Sequence, residues 1–317
     1  MFKYILKRVL LMIPVIMAVI LAVYLMLNSV SFGRGLYIQV LQGDWFDHVL
    51  NFLHVTDTWL GQYLRYTFNA LVKFDLGVAG ETGWRISYEV SSRLGYTLIL
   101  TLLGLFTVIL IGVPLGIHSA VYSGRSGDRI ISSLSLLLSS MPSYVMAIML
   151  VLIFAVNMGV LPPLGITSWK SYIMPVLVLS FDGIAQTVRV TRSIVLETLD
   201  RQFVTALRSK GLAERAVIYG HVLRNSVIPI ISLLSQTATK VLCGSIIVET
   251  FFSIPGIGQY LIAAVRQRSF ARILGSSVLI AVIVMTINII ADVLYILVNP
   301  AVRMNVLGSG KKVKNNV

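Results

Sequence analysis

Reactive side chains are sparse in this sequence and do not gather into an active centre. Asp182 and Asp292 each sit within apolar stretches, where a pair of spanning aspartates would suit an intramembrane protease, but neither lies in a matching motif. His48 and His54 are too far apart for one helix face or a standard ligand pair, and the lone Cys243 allows neither a disulfide nor a cysteine metal site within the chain. Gly308-Ser309-Gly310-Lys311 imitates the end of a phosphate-binding loop. Asn305 stands where that loop needs its first glycine, and no strand precedes it. No glycine-flanked serine elbow or zinc-helix pattern is present. We therefore expect no catalytic residue, no metal and no cofactor bound by this chain.

The charged groups that do cluster lie between Glu197 and Pro229, including Arg201, Arg208, Lys210, Arg215 and Arg224, with long apolar runs on both sides. The pattern predicts a helix opened by Asp200, whose carboxylate suits unpaired N–H groups and the positive dipole end. Phe203, Val204 and Leu207 share one face at helical spacing. Gly211 ends the helix, since glycine tolerates positive φ. A second short helix is expected over Leu212 to Tyr219, with Pro229 opening the next apolar run. Such a basic amphipathic unit between two spans belongs at a membrane surface.

The elements that position it are membrane spans. The sequence is 56% hydrophobic and 12% charged, with mean hydropathy +0.86, where soluble domains carry roughly 25% charged residues. Net charge is +13. The basic residues are dispersed among loops with no soluble fold around them, which fits anionic lipid rather than nucleic acid. Six spans are expected: Val9–Leu27, Tyr96–Tyr122, Ile130–Val156 (broken at Met141-Pro142-Ser143), Tyr172–Val190, Ile230–Val248 and Ile273–Val298. The first is read as uncleaved, because its apolar run exceeds the core of a signal peptide. Gly112 and Gly116 share a face suited to close helix approach, and Pro114 between them predicts a kink.

Several stretches together resemble the permeases of ABC importers, most closely the dipeptide/oligopeptide/nickel branch. They are Phe203-Val204-x-Ala206-x-Arg208-x-Lys210-Gly211-Leu212, then His221-x-Leu223-Arg224-Asn225 and Pro229. Gln62-Tyr63-Leu64-Arg65-Tyr66, Phe74-Asp75-Leu76-Gly77, Glu249 to Gly258, and Asn288-x-x-x-Asp292 with Asn299-Pro300 add to the likeness. The resemblance covers Tyr4 to Arg303 and implies an all-α integral membrane protein with the six-helix type I importer fold. It implies that Phe203, Ala206, Arg208, Lys210, Gly211 and Leu212 dock on a cytoplasmic ATPase. Glu249, Pro255, Gly256 and Gly258 would form an external hairpin near the outer gate. The chain departs from the family's usual acidic residue at Ser269 and amide at Leu274.

The implied partners are a second, homologous permease subunit, two cytoplasmic ATPase subunits or domains that bind ATP and Mg, and an external substrate-binding protein, all working with membrane lipid and without nucleic acid. Pro142, Ser143, Asp182, Asn288 and Asp292 are candidate pathway residues. Asn288, Asp292 and Tyr295 share a helix face that suits structural hydrogen bonding as well as a pathway. We expect residues 1–28 as tail and first span, 29–94 as an external segment, and 95–303 as the permease core with a coupling loop at about 191–225. Residues 304–317 form a basic tail. Basic residues concentrate at the N-terminus, in 189–224 and in the tail, so both termini are expected in the cytoplasm of a bacterial inner-membrane protein. The expected function is ATP-driven import of di- or oligopeptides by alternating access. Nickel, a metal chelate or another small solute is the alternative cargo. An intramembrane enzyme, a scaffold or a secondary transporter are the rival classes.

Overall fold

A computed structural model describes residues 2–30, 58–79 and 83–298. These residues are helical apart from connecting turns and one isolated bridge, Val78 to Arg85. We number the helices α1 (Phe2–Val30), α2 (Trp59–Val72), α3 (Ile86–Val121), α4 (Ser126–Ser140), α5 (Ser143–Asn157), α6 (Trp169–Leu199), α7 (Gln202–Ser209), α8 (Ala216–Phe251), α9 (Ile257–Arg266) and α10 (Phe270–Val298). Long apolar segments become helices because lipid offers no partner to backbone N–H and C=O groups. Five helices are long and apolar enough to cross a membrane, and α4 and α5 pass the same test only as a pair, bent by 101° at their junction. The bend falls at Met141-Pro142, where proline removes a donor and disfavours helix in the residue before it.

Helix α6 lies at the centre, packed against α3, α4, α5 and α8. Its approach to α3 depends on the predicted glycines. A Cβ at Gly112 would meet Thr187 Cβ at 2.9 Å, and one at Gly116 would meet Thr191 Cβ at 2.7 Å. No sharp break follows at Pro114. A π turn over Val108–Gly112 directly precedes it and takes up the disturbance. A second core joins α1, α2, α9 and α10 through Ile20, Tyr24, Tyr66, Ile257 and Leu274. Tyr24 Oη donates to Gln62 Oε1 at 2.8 Å across it.

Among the boundaries that differ from the sequence expectation, three change how an element is built, and the span expected to end at Val190 runs on to Leu199. Helix α3 starts at Ile86 rather than Tyr96, so the segment expected at 29–94 runs into it; Ile86 and Val90 are buried at helical spacing and extend the helix beyond the purely apolar run. Asp200 does not open α7. It closes α6, its N–H bonded to the Leu196 carbonyl, while Arg201, with extended backbone, is the N-cap of α7. Pro229 does not open a span but lies inside α8, which is continuous from Ala216 and absorbs the expected Leu212–Tyr219 helix. A membrane helix tolerates proline where neighbours satisfy the freed groups. The carbonyl deprived of a donor is that of Asn225, four residues earlier, and the helix carries on past it to Phe251. The expected His48, His54 and tail 304–317 lie outside the described residues.

Candidate functional site

The basic unit is a short helix clamped by its apolar side. Val204 of α7 is fully buried, packed with Ala120 of α3, Val195 of α6 and Val217 and Val222 of α8, while Phe203, Leu207 and Leu212 are half-buried around it. The other expected positions, Ala206, Arg208, Lys210 and Gly211, are exposed together. Gly211 takes φ +78°, and its N–H bonds to the Arg208 carbonyl at 2.9 Å, so the chain reverses there as expected. Arg208 Nη2 and Nε donate to the Glu214 carboxylate at 2.6 and 3.1 Å across that turn. Hydrogen bonding to Arg208 lowers the Glu214 carboxyl from its ordinary range, and the same bond raises the guanidinium. The unit thus presents a basic outer rim on an apolar mount.

That mount is fixed by a buried ion pair that sequence reasoning missed. Asp128, in the first turn of α4, accepts from Arg192 Nε at 2.7 Å and Nη2 at 2.9 Å, and from the Gly124 N–H at 2.8 Å. Ser119 of α3 also donates to it. The pair locks the α3–α4 turn to the last turns of α6, next to α7. Arg192 stands far from Asp128 in the sequence, and only the fold's register joins them.

At mid-span, on the open side of α6 and α8, a cavity of about 420 Å3 brings together Pro142, Ser143 and Asp182, three of the five candidate pathway residues. The α4–α5 break forms one wall, and Asp182 of α6 with Lys240 of α8 forms another. Lys240 was visible in the sequence only as a charge within a span. Arg189 Nη1 donates to Ser139 Oγ at 2.7 Å, tying α6 to the end of α4. Asn288 and Asp292 are elsewhere. Asn288 Oδ1 accepts from Thr239 Oγ1 at 3.2 Å, and Asp292 pairs with Arg8 of α1 at 3.1 Å.

At the opposite end, α8 turns back into α9 through Phe252–Gly256. Glu249 is fully buried, and its Oε2 accepts from the N–H groups of Gly258 at 2.7 Å and Gln259 at 3.2 Å. It caps α9 from outside that helix, satisfying donors that lack partners within it. A Cβ at Gly256 or Gly258 would collide with this carboxylate at 2.3 and 2.8 Å, which explains both glycines. Beside it, Tyr260 of α9 donates to Glu89 of α3, and Arg272 of α10 pairs with Glu89 at 3.3 Å. Burial, then the Glu89 hydrogen bond, raises the Tyr260 phenol above its ordinary range.

Residues 112–304 match the family described as "Binding-protein-dependent transport system inner membrane component". The chain is 31% identical over 305 residues to the glutathione transport system permease protein GsiC of Escherichia coli O6:H1, covering 96% of this chain and 99% of that one. It is 32% identical over 307 residues to the same-named protein of Salmonella typhimurium, with the same coverage. Among solved structures, two inward-facing forms of the MetNI methionine ABC transporter match with TM-scores of 0.56 and 0.58 at 16% identity, covering 67% of this chain and 97% of theirs. The likeness at that identity shows a shared fold. The chain belongs to the binding-protein-dependent inner-membrane family, as a multi-pass ABC importer permease subunit of its peptide/oligopeptide branch, and ATP hydrolysis lies in separate subunits.

Proposed function

We propose that this subunit forms a translocation passage with a second, homologous permease, and that its α7 unit docks on one of two cytoplasmic ATPase subunits. An external binding protein delivers the cargo. The observation that carries this is the mounting of α7: a buried apolar face locked to α3, α6 and α8, with Ala206, Arg208, Lys210 and Gly211 outermost. A helix held this way moves as one body with two spans, so closure of an ATP-loaded partner pair would rock α6 and α8 rather than bend a loop. The α7 end then faces the cytoplasm, both termini lie on that side, and the Glu249 hairpin faces outward, in line with the distribution of Lys and Arg.

Peptides are the proposed cargo class, supported by the glutathione transport named for the relatives, since glutathione is itself a small peptide. Nickel or a metal chelate is less well supported: among the described residues no group of His, Cys, Asp or Glu could hold a metal ion. The protease alternative loses its catalytic pair, because Asp182 lines the central cavity while Asp292 is engaged by Arg8.

The test is co-purification from membranes in mild detergent, comparing the native chain with one whose 206–211 segment is scrambled. Capture of an ATPase by the native chain alone is the expected result. A native, folded chain that captures no ATPase even after crosslinking would overturn the docking role. Gly211→Arg, which places a long side chain at positive φ on the rim, is expected to abolish substrate-stimulated ATP hydrolysis.

A further inference from the structure

Two cavities lie in line along the groove between α6 and α8, and one hydrogen bond stands between them. The central cavity, about 420 Å3, includes Asp182 and Lys240 in its lining. A second, about 480 Å3, is lined on the α7 side by Val190, Pro229 and Tyr295, and also by Gln186 and Gln236. On α6, Asp182, Gln186 and Val190 follow one another at four-residue spacing, a single stripe down the helix. On α8, Pro229, Leu233, Gln236, Lys240 and Gly244 trace the facing stripe. Lys240 belongs to the first cavity and Gln186 to the second, and Lys240 Nζ donates to Gln186 Oε1 at 2.8 Å. Lys240 lies about 16 Å along α8 from Phe251 and about 36 Å from Ala216, well inside the span.

An ammonium at that depth is costly without strong partners. A single amide oxygen satisfies one of its three donors and none of its charge. Among the described residues no carboxylate forms an ion pair with Lys240, Asp182 included. The resting arrangement therefore holds a cation by a neutral partner that a carboxylate would outcompete, because a charge-assisted hydrogen bond is roughly twice as strong as a neutral one.

We propose that Lys240 and Gln186 form a polar bolt across the passage, and that Lys240 determines specificity by exchanging Gln186 for an anionic group of the solute. Arrival of a carboxylate in the central cavity draws Lys240 away from Gln186 and joins the two cavities, so release toward the cytoplasm follows occupancy by cargo of the right charge. This rests on the importer reading for its direction. It adds the residue that reads the cargo and the chemistry that is read.

The test uses the full complex in inverted membrane vesicles, with Cys243→Ser removing the native thiol and Ser143→Cys reporting from the central cavity. The probes are two membrane-impermeant thiosulfonates, one carrying a sulfonate and one a trimethylammonium group, added from the α7 side. Gln186→Ala is expected to raise the sulfonate labelling rate by about fivefold, the net worth of one hydrogen bond. Gln186→Glu, which gives Lys240 an ionic partner, is expected to lower it. Lys240→Met is expected to erase the preference for sulfonate over trimethylammonium, whereas Asp182→Asn, which alters the cavity's charge but leaves the bolt intact, preserves the opposite response to the two Gln186 variants. Equal rates in Gln186→Ala, Gln186→Glu and the parent would overturn the bolt, and a charge preference unchanged in Lys240→Met would overturn the specificity role. ATPase capture is scored on the same preparations. If no ATPase is captured while the two Gln186 variants still move labelling in opposite directions, the proposed α7 docking fails and the bolt stands.

Discussion

Gly116 has no side chain because the neighbouring helix occupies the place one would take. A Cβ there would meet Thr191 Cβ at 2.7 Å and the Val188 carbonyl oxygen at 2.9 Å, and backbone cannot step aside as a side chain can. Gly116→Ala is therefore expected to force α3 from α6 and cost about 1–3 kcal/mol, read as a lower Tm in detergent. Gly104→Ala is the control. Its neighbours are side-chain ends, Leu179 Cδ2 at 3.1 Å and Val241 Cγ1 at 3.2 Å, which can rotate, so its Tm should stay near that of the parent. Asp128 invites a second measurement. Its side chain is only 6% exposed and that of Arg192 31%, so removing one partner leaves a charge with little water to replace it. Asp128→Ala is expected to destabilise by about 3 kcal/mol, toward the lower end for a broken buried pair given the exposure of Arg192. Glu249→Ala should likewise strip the acceptor from the Gly258 and Gln259 amides, while Glu249→Gln keeps an acceptor oxygen and should lose less, as hydrogen exchange at the start of α9 would show.

At the scale of elements, α7 is held far more by its buried face than by its ion pair. Arg208 and Glu214 are each about half exposed (46% and 54%), so their pair contributes about 1 kcal/mol or less. Because Arg208 depresses the Glu214 carboxyl, that contribution is fully present above its ordinary value of 4.5 and is lost as pH falls through the lowered folded value. A double-mutant cycle of Arg208→Ala and Glu214→Ala should accordingly show a small coupling at neutral pH and none well below pH 4.5. The local sequence was sufficient for the reversal at Gly211 and the break at Pro142, since both follow from backbone chemistry of one or two residues. It was insufficient at Pro229, where neighbouring groups let a membrane helix pass through a proline, and at Asp200, where the same carboxylate that suits a helix start closes the previous helix instead. The pairs Asp128–Arg192, Arg8–Asp292 and Lys240–Gln186 were invisible for a different reason: each depends on how two distant helices are rotated about their axes.

For the whole molecule, the packing leaves one side of the bundle unfinished. Asp182, Lys240 and Asn288 are exposed at mid-span, where lipid would be a poor neighbour, while α6 behind them is densely buried. The second permease subunit proposed above would, by covering this face, account for that exposure. Crosslinking is then expected to join this chain to a homologous one through cysteines placed at Asp182 or Asn288, and no such product should form through Leu102 or Phe106, which lie exposed on α3. The π turns in α3, α5 and α8 carry a further consequence. Each is a place where the helix holds one residue more than an α-turn needs. Deleting Leu110 would let α3 close into regular α-helix at no evident cost to the helix itself. Because the π turn already takes up that residue within one turn, the halves on either side would keep their facing, and Gly116 would stay against Thr191. The same deletion in a regular α stretch would swing one half by about 100° relative to the other. The surplus residue marks a place where α3 can change length by one and keep its partners, whereas its regular turns cannot.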